Sequence, residues 1–213
     1  MIEKYDFKKE YKNLYSSRQK PILINVPPLN YIMIDGSGKP TGENYQNAMQ
    51  ILYSITYTIK MSKKGDKHIN GYYEYVIPPL EGLWYLENDK LDFNVSKDKW
   101  LWTSMIAQPN FVNEDIFNWA LDECRNKKPN LDFSKARFEI FNEGLCVQSM
   151  HIGSYDEELR TITKIEKYME ENNLVNVTSN IRKHHEIYLS DPRRTSSEKL
   201  RTILRFPVEK TSF

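Results

Sequence analysis

Residues 49–59 read MQILYSITYTI and residues 159–169 read LRTITKIEKYM, and how far these two stretches agree decides the fold. Apolar side chains recur at helical spacing in both: Met49, Leu52, Ile55 and Ile59 in the first, Leu159, Ile162, Ile165 and Met169 in the second. The two stripes coincide at a constant offset of 110 residues. Each predicts an amphipathic helix, over about residues 43–60 and over Tyr155–Glu171. Tyr45 and Ala48 extend the first stripe, and Lys60, Lys63, Lys64 and Gly65 suit its negative end.

The flanks repeat as well. Ahead of the first helix, Tyr31–Asp35 predicts a strand closed by a turn over Gly36–Gly42; that turn lacks the Lys-Ser/Thr ending of a phosphate-binding loop. After it come two predicted strands, Tyr72–Ile77 and Trp100–Ala107. Ahead of the second helix, strands are expected within Phe138–Ile152; after it come His184–Leu189, ended by Ser190-Asp191-Pro192, and Leu200–Pro207. His185-Glu186-Ile187-Tyr188 thus echoes Tyr73-Glu74-Tyr75-Val76. The expectation is an α+β fold made by duplicating a strand-helix-strand-strand unit. Each unit alone would leave one face of a short antiparallel sheet bare, so the two should pair about a pseudo-two-fold axis and enclose a cleft. The chain then divides, as one domain, into an N-terminal arm (1–21), a first repeat (22–112), a connecting helix (113–130) with Asn113 as its N-cap, and a second repeat (131–213).

Composition removes several functions. Thirty Lys and Arg against 29 Asp and Glu leave a formal charge of +1 over 213 residues. The signs are mixed along the chain, so no basic footprint for direct nucleic-acid contact emerges. No run of about 18 apolar residues could span a membrane, and the charged N-terminus lacks the apolar stretch of a signal peptide, so a cytoplasmic location is expected. Cys124 and Cys146 read as buried reduced thiols. His184 and His185 point to opposite faces of a strand, which disfavours one shared ion, and no metal or cofactor is expected. Aromatic residues reach 13%, with 14 Tyr and 4 Trp. They suit ordinary amphipathic packing as well as a pocket for a flat or cationic molecule.

Two motifs break the symmetry. Pro78-Pro79-Leu80-Glu81-Gly82-Leu83-Trp84-Tyr85-Leu86 reads as a loop carrying a bulky apolar cluster, either a core plug or a pocket wall. HHEIYLSDPRRT (184–195) places a carboxylate, Glu186, in a strand beside Ile187, Tyr188 and Leu189. Alternation alone favours solvent for Glu186 and for its echo Glu74. Arg193, Arg194, Arg201 and Arg205 read as solvated arginines paired with nearby acids.

With Leu-Trp-Thr at 101–103 and LRTILRFPV at 200–208, these motifs resemble the GyrI-like small-molecule-binding family over most of the chain from about residue 22 onward. The resemblance implies paired SHS2-type modules with a ligand cleft between them, and it places Glu186 inside that cleft. It also implies a stand-alone branch rather than a transcription regulator, since about 20 residues before the first strand are too few for a helix-turn-helix. That branch includes hydrolases that open the strained ring of cyclopropanoid DNA-alkylating natural products. On this reading Glu186 is the base, Tyr188 or Tyr73 the hydrogen-bond donor, and Trp84 and Trp102 the flat walls, with Leu83, Glu81 and Tyr75 as further ligand contacts. The alternative is a non-catalytic receptor that sequesters a flat cationic drug. A homodimer is compatible with either.

Overall fold

The computed structural model describes residues 4–15, 18–65, 67–87 and 95–211. Glu3 and Ser16-Ser17 of the expected N-terminal arm lie outside the described residues. Among the described residues, nine antiparallel strands and four α-helices form a mixed α+β fold. A short helix α1 (Phe7–Glu10) precedes β1 (Ile22–Val26) and β2 (Leu29–Ser37); α2 (Glu43–Met61) leads to β3 (Leu80–Tyr85) and β4 (Leu101–Gln108). After α3 (Glu114–Lys127) come β5 (Ala136–Phe141), β6 (Gly144–Ile152), α4 (Leu159–Glu171), β7 (Leu174–Asn176), β8 (His184–Tyr188) and β9 (Arg201–Lys210).

The strands lie in the order β1-β6-β9-β8-β3-β4-β2-β5, with β7 added beside β9. In this order β2, β4, β3 is followed by β8, β9, β6, so the series β2-α2-β3-β4 is met again, reversed across the sheet, as β6-α4-β8-β9. The centre of the sheet is the β3–β8 pair, where Gly82 faces Glu186 and Trp84 faces His184.

Both helical stripes pack onto one face. Leu52, Ile55 and Ile59 are buried in a core shared with Ile32, Ile106 and α3, while Ile162, Ile165 and Met169 are buried against Val147, Leu204 and Phe206. Leu159 departs from the matched pattern and is 63% exposed. Residues 155–157 form a 3-10 turn, so α4 begins only at Leu159 and this side chain lies in its first turn. Asn113 caps α3, its Oδ1 accepting from the Ile116 amide at 3.0 Å.

The other face of the sheet is covered by the N-terminal segment: Phe7, Leu14 and Tyr15 pack with Leu83, Met105, Ile187 and Ile203. Cys124 and Cys146 are buried and free.

Two expectations about the first half are corrected. Tyr72–Ile77 is not a strand; Tyr75 makes a single parallel bridge to Tyr5. The segment expected as a loop, Leu80–Tyr85, is instead the central strand β3. Pro78-Pro79 stand just outside it, and Gly82 sits within it because a Cβ there would lie 3.1 Å from Trp84 Nε1 and 3.3 Å from the Tyr188 hydroxyl. The first-half strand that pairs with His184–Tyr188 is therefore β3 and not Tyr73–Val76. Arg205 is corrected too, being buried and not solvated.

Candidate functional site

A cavity of about 2310 Å³ opens on the helix-covered face. Its floor is the β3–β8 pair. One wall is α2 with Tyr45, Met49 and Tyr53; the other is the 3-10 turn before α4 with Tyr155, and Glu158 at the N-cap of α4, and Trp84, Trp100, Glu186 and Tyr188 complete the inner end. Tyr45 lies parallel to Trp84, ring centroids 6.0 Å apart, and Tyr155 meets Tyr188 edge-on at 6.2 Å.

Pleating decides what enters. Glu186 and Tyr188 stand two residues apart and so on the same face of β8. The Tyr188 hydroxyl donates to Glu186 Oε2 at 2.7 Å and accepts from Trp84 Nε1 at 2.9 Å. His184 Nε2 lies 3.4 Å from Glu186 Oε1. Glu186 is only 5% exposed, which reverses the inference from alternation. Burial, together with the neighbouring Glu186 charge, pushes the Tyr188 hydroxyl well above its ordinary range, so this phenol keeps its proton.

The other expected site residues are distributed unevenly. Trp84 lines the cavity. Trp102 is a layer behind, edge-on to Tyr45 at 5.1 Å. Gly36 makes room for it: a Cβ at that position would overlap its indole at 2.2 Å. Leu83 and Glu81 alternate onto the opposite face. Tyr73 packs on Tyr5 and Phe111 at 5.1 and 5.2 Å, and Tyr75 on Phe111 at 6.0 Å; neither borders the cavity.

Glu158 is the residue that the sequence reading missed. It is 6% exposed, borders the cavity, and its Oε1 is buried with no hydrogen-bond partner among the described residues. Burial first, and then the charge of Glu186, push its carboxyl up to about 10, so it is neutral at pH 7. The cavity thus borders two buried carboxyls in contrasting surroundings: Glu186 accepts a hydrogen bond from the Tyr188 hydroxyl, and Glu158 Oε1 has no hydrogen-bond partner among the described residues.

Behind the floor, on the opposite face, lies a second acidic cluster, sealed from solvent. His185 Nε2 lies 3.0 Å from Glu81 Oε2 and its Nδ1 3.0 Å from Glu143 Oε1. Arg205 donates to Glu143 Oε2 at 2.7 Å, to Gln148 Oε1 at 2.9 Å and to the Leu14 carbonyl at 2.9 Å. The hydroxyls of Tyr15 and Tyr31 donate to Glu81 at 2.9 and 3.1 Å. Burial alone would raise the Glu143 carboxyl, but His185 and Arg205 overcome it and hold it at about 2. Among the described residues, no group of three or more His, Cys, Asp or Glu is placed to hold a metal ion, and no helix is long and apolar enough to cross a membrane.

The family model of the GyrI-like small molecule binding domain matches residues 19–209. An uncharacterized conserved protein from Listeria innocua is 51% identical, with a TM-score of 0.92, over 97% of this chain and 100% of its own. A protein described as a hydrolase from Listeria innocua is 48% identical, with a TM-score of 0.89 and the same coverage of both chains. The EcmrR C-terminal domain, 14% identical with a TM-score of 0.56 over 90% of this chain and 98% of its own, shares the fold. A search of curated proteins finds no significant match.

Proposed function

The chain belongs to the GyrI-like small-molecule-binding family, and from that premise we propose that it is a hydrolase that opens the strained ring of cyclopropanoid or similar aromatic electrophiles. The hydrolase description of a relative 48% identical over its whole length supports the reaction class. The observation that carries the reading is the buried Glu186 carboxylate at the inner end of an aromatic cavity, aligned by the Tyr188 hydroxyl at 2.7 Å. The two strand-helix-strand-strand series are the arms of a duplicated module, with Glu186 on their shared seam.

For a cyclopropane conjugated with a ring carbonyl, Glu186 takes a proton from water as the water oxygen bonds to a cyclopropane carbon. The carbon–carbon bond breaks, and its electron pair flows through the conjugated ring to the carbonyl oxygen. That oxygen then takes up a proton and becomes a phenol. Trp84 and Tyr45 hold the flat ring system, and Trp102 backs Tyr45.

Incubating the protein with a cyclopropanoid alkylator and following the water adduct by mass spectrometry tests this. Turnover is expected, and Glu186→Gln should lower it by roughly 10²–10⁴-fold while the ligand still quenches Trp fluorescence. Saturable binding with no water adduct would instead establish a receptor.

A further inference from the structure

The ring-opening step needs two proton transfers, and the geometry provides a partner for only one of them in the Glu186–Tyr188 pair. The Tyr188 proton is directed to Glu186, and its oxygen lone pair receives Trp84 Nε1. Tyr73 is remote from the cavity. A group that donates to the ligand must border the cavity, carry a proton at neutral pH and have that proton uncommitted. Glu158 meets these conditions: it is more than nine-tenths buried, borders the cavity, and its Oε1 has no hydrogen-bond partner among the described residues.

We propose that Glu158 stands protonated in the cavity and delivers its proton to the carbonyl oxygen of the bound ligand, as the acid to Glu186's base. The inference rests on the ring-opening reading. The atoms balance: water gives one proton to Glu186 and its hydroxyl to carbon, Glu158 gives one proton to oxygen, and transfer of the proton from Glu186 to Glu158 restores the resting state. Two carboxyls in contrasting surroundings, one accepting from a phenol and one with a buried oxygen that no described side chain pairs, suit the roles of base and acid. The charged groups facing Glu158 are Glu186 on β8, Lys97 in the 3-10 turn before β4, and Asp156 beside it. Burial first, then Glu186 and Asp156, hold the proton on, and Lys97 opposes them.

Two measurements separate this inference from the reaction it rests on. The first is infrared difference spectroscopy of the ligand-free protein at pH 8, wild type minus Glu158→Gln, which should show the carbonyl stretch of a protonated carboxylic acid; Glu186→Gln should retain that band. The second is the pH dependence of kcat with a cyclopropanoid alkylator. Glu158→Gln should fold, retain binding by Trp fluorescence, lose roughly 10²-fold or more in kcat, and lose the alkaline limb seen in wild type. Absence of the acid band, or a Glu158→Gln enzyme within about threefold of wild type with its alkaline limb intact, overturns the inference while leaving the reaction standing. A wild-type protein with the acid band and no turnover on this substrate overturns the reaction, and with it the donor role.

Discussion

His185 and Glu186 are consecutive on β8, both are buried, and each belongs to a cluster with at least two acids, yet the two faces of the strand complete their clusters differently. On the side covered by the N-terminal segment, Glu81 and Glu143 receive His185, Arg205, Tyr15 and Tyr31, and the remaining guanidinium hydrogens reach Gln148 and the Leu14 carbonyl. On the cavity side, Glu158 Oε1 is buried at the cavity's edge with no hydrogen-bond partner among the described residues. Buried charge that is fully paired specifies packing, whereas buried acid left unpaired beside a cavity is available to a ligand. That difference, more than burial, separates the two clusters.

The comparison breaks most sharply at Arg205. Arg205→Ala removes the guanidinium from Glu143 and takes one of two side-chain donors, the other being Gln148 Nε2, from the Leu14 carbonyl; removing one partner of a buried ion pair costs about 3–5 kcal/mol. In a chain of this size that lowers the melting temperature by roughly 10 °C, measurable by differential scanning calorimetry. Arg205→Met together with Glu143→Gln should recover part of the loss, since the uncompensated charge goes with its partner.

The pH dependence of stability distinguishes the faces next. Glu143 sits at about 2 in the folded state against an ordinary 4.5. Its contribution, roughly 3 kcal/mol, is therefore fully present above about pH 4.5 and is lost as pH falls toward 2. Burial would lower His185, but Glu143 and Glu81 raise it, so its contribution is complete below its ordinary 6.5 and is lost as pH rises through the raised value. Glu158 acts oppositely to Glu143: its folded value of about 10 means that stability declines as pH rises from 4.5 toward 10. Urea titrations across pH should show the acid loss in both wild type and Glu158→Gln, and a shallower alkaline decline in the variant. Identical alkaline slopes would place Glu158 in water.

Sequence and structure agree where the information is local. The stripes 52, 55, 59 and 162, 165, 169 are buried because helical spacing alone puts them on one face. The β3 strand was not legible because Pro-Pro before it and Gly within it are loop signals, and the reason for Gly82 is a hydrogen bond between Trp84 and a residue 104 positions away. Glu158 lies just before a strongly amphipathic helix, where an acid ordinarily serves the helix dipole in solvent. In the fold it is buried instead, with Glu186 of β8 and Lys97 nearby. Arg205 likewise reads as one of several surface arginines until the N-terminal segment is laid over it.

The smallest expected effect tests the one acid that sequence symmetry pairs with Glu186 and the structure does not. Glu74 lies outside any strand, forms an ion pair with Lys63, and has its carboxyl held below the ordinary range mainly by that lysine. It borders neither the cavity nor the sealed cluster. A partly exposed pair of this kind contributes about 0–1 kcal/mol. Glu74→Gln should therefore leave ring opening within about twofold of wild type and shift the melting temperature by no more than about 3 °C, in a paired assay with Glu186→Gln. If the two variants lose activity together, the counterpart of Glu186 in the first half is Glu74 after all, and the pairing of β3 with β8 does not define the site.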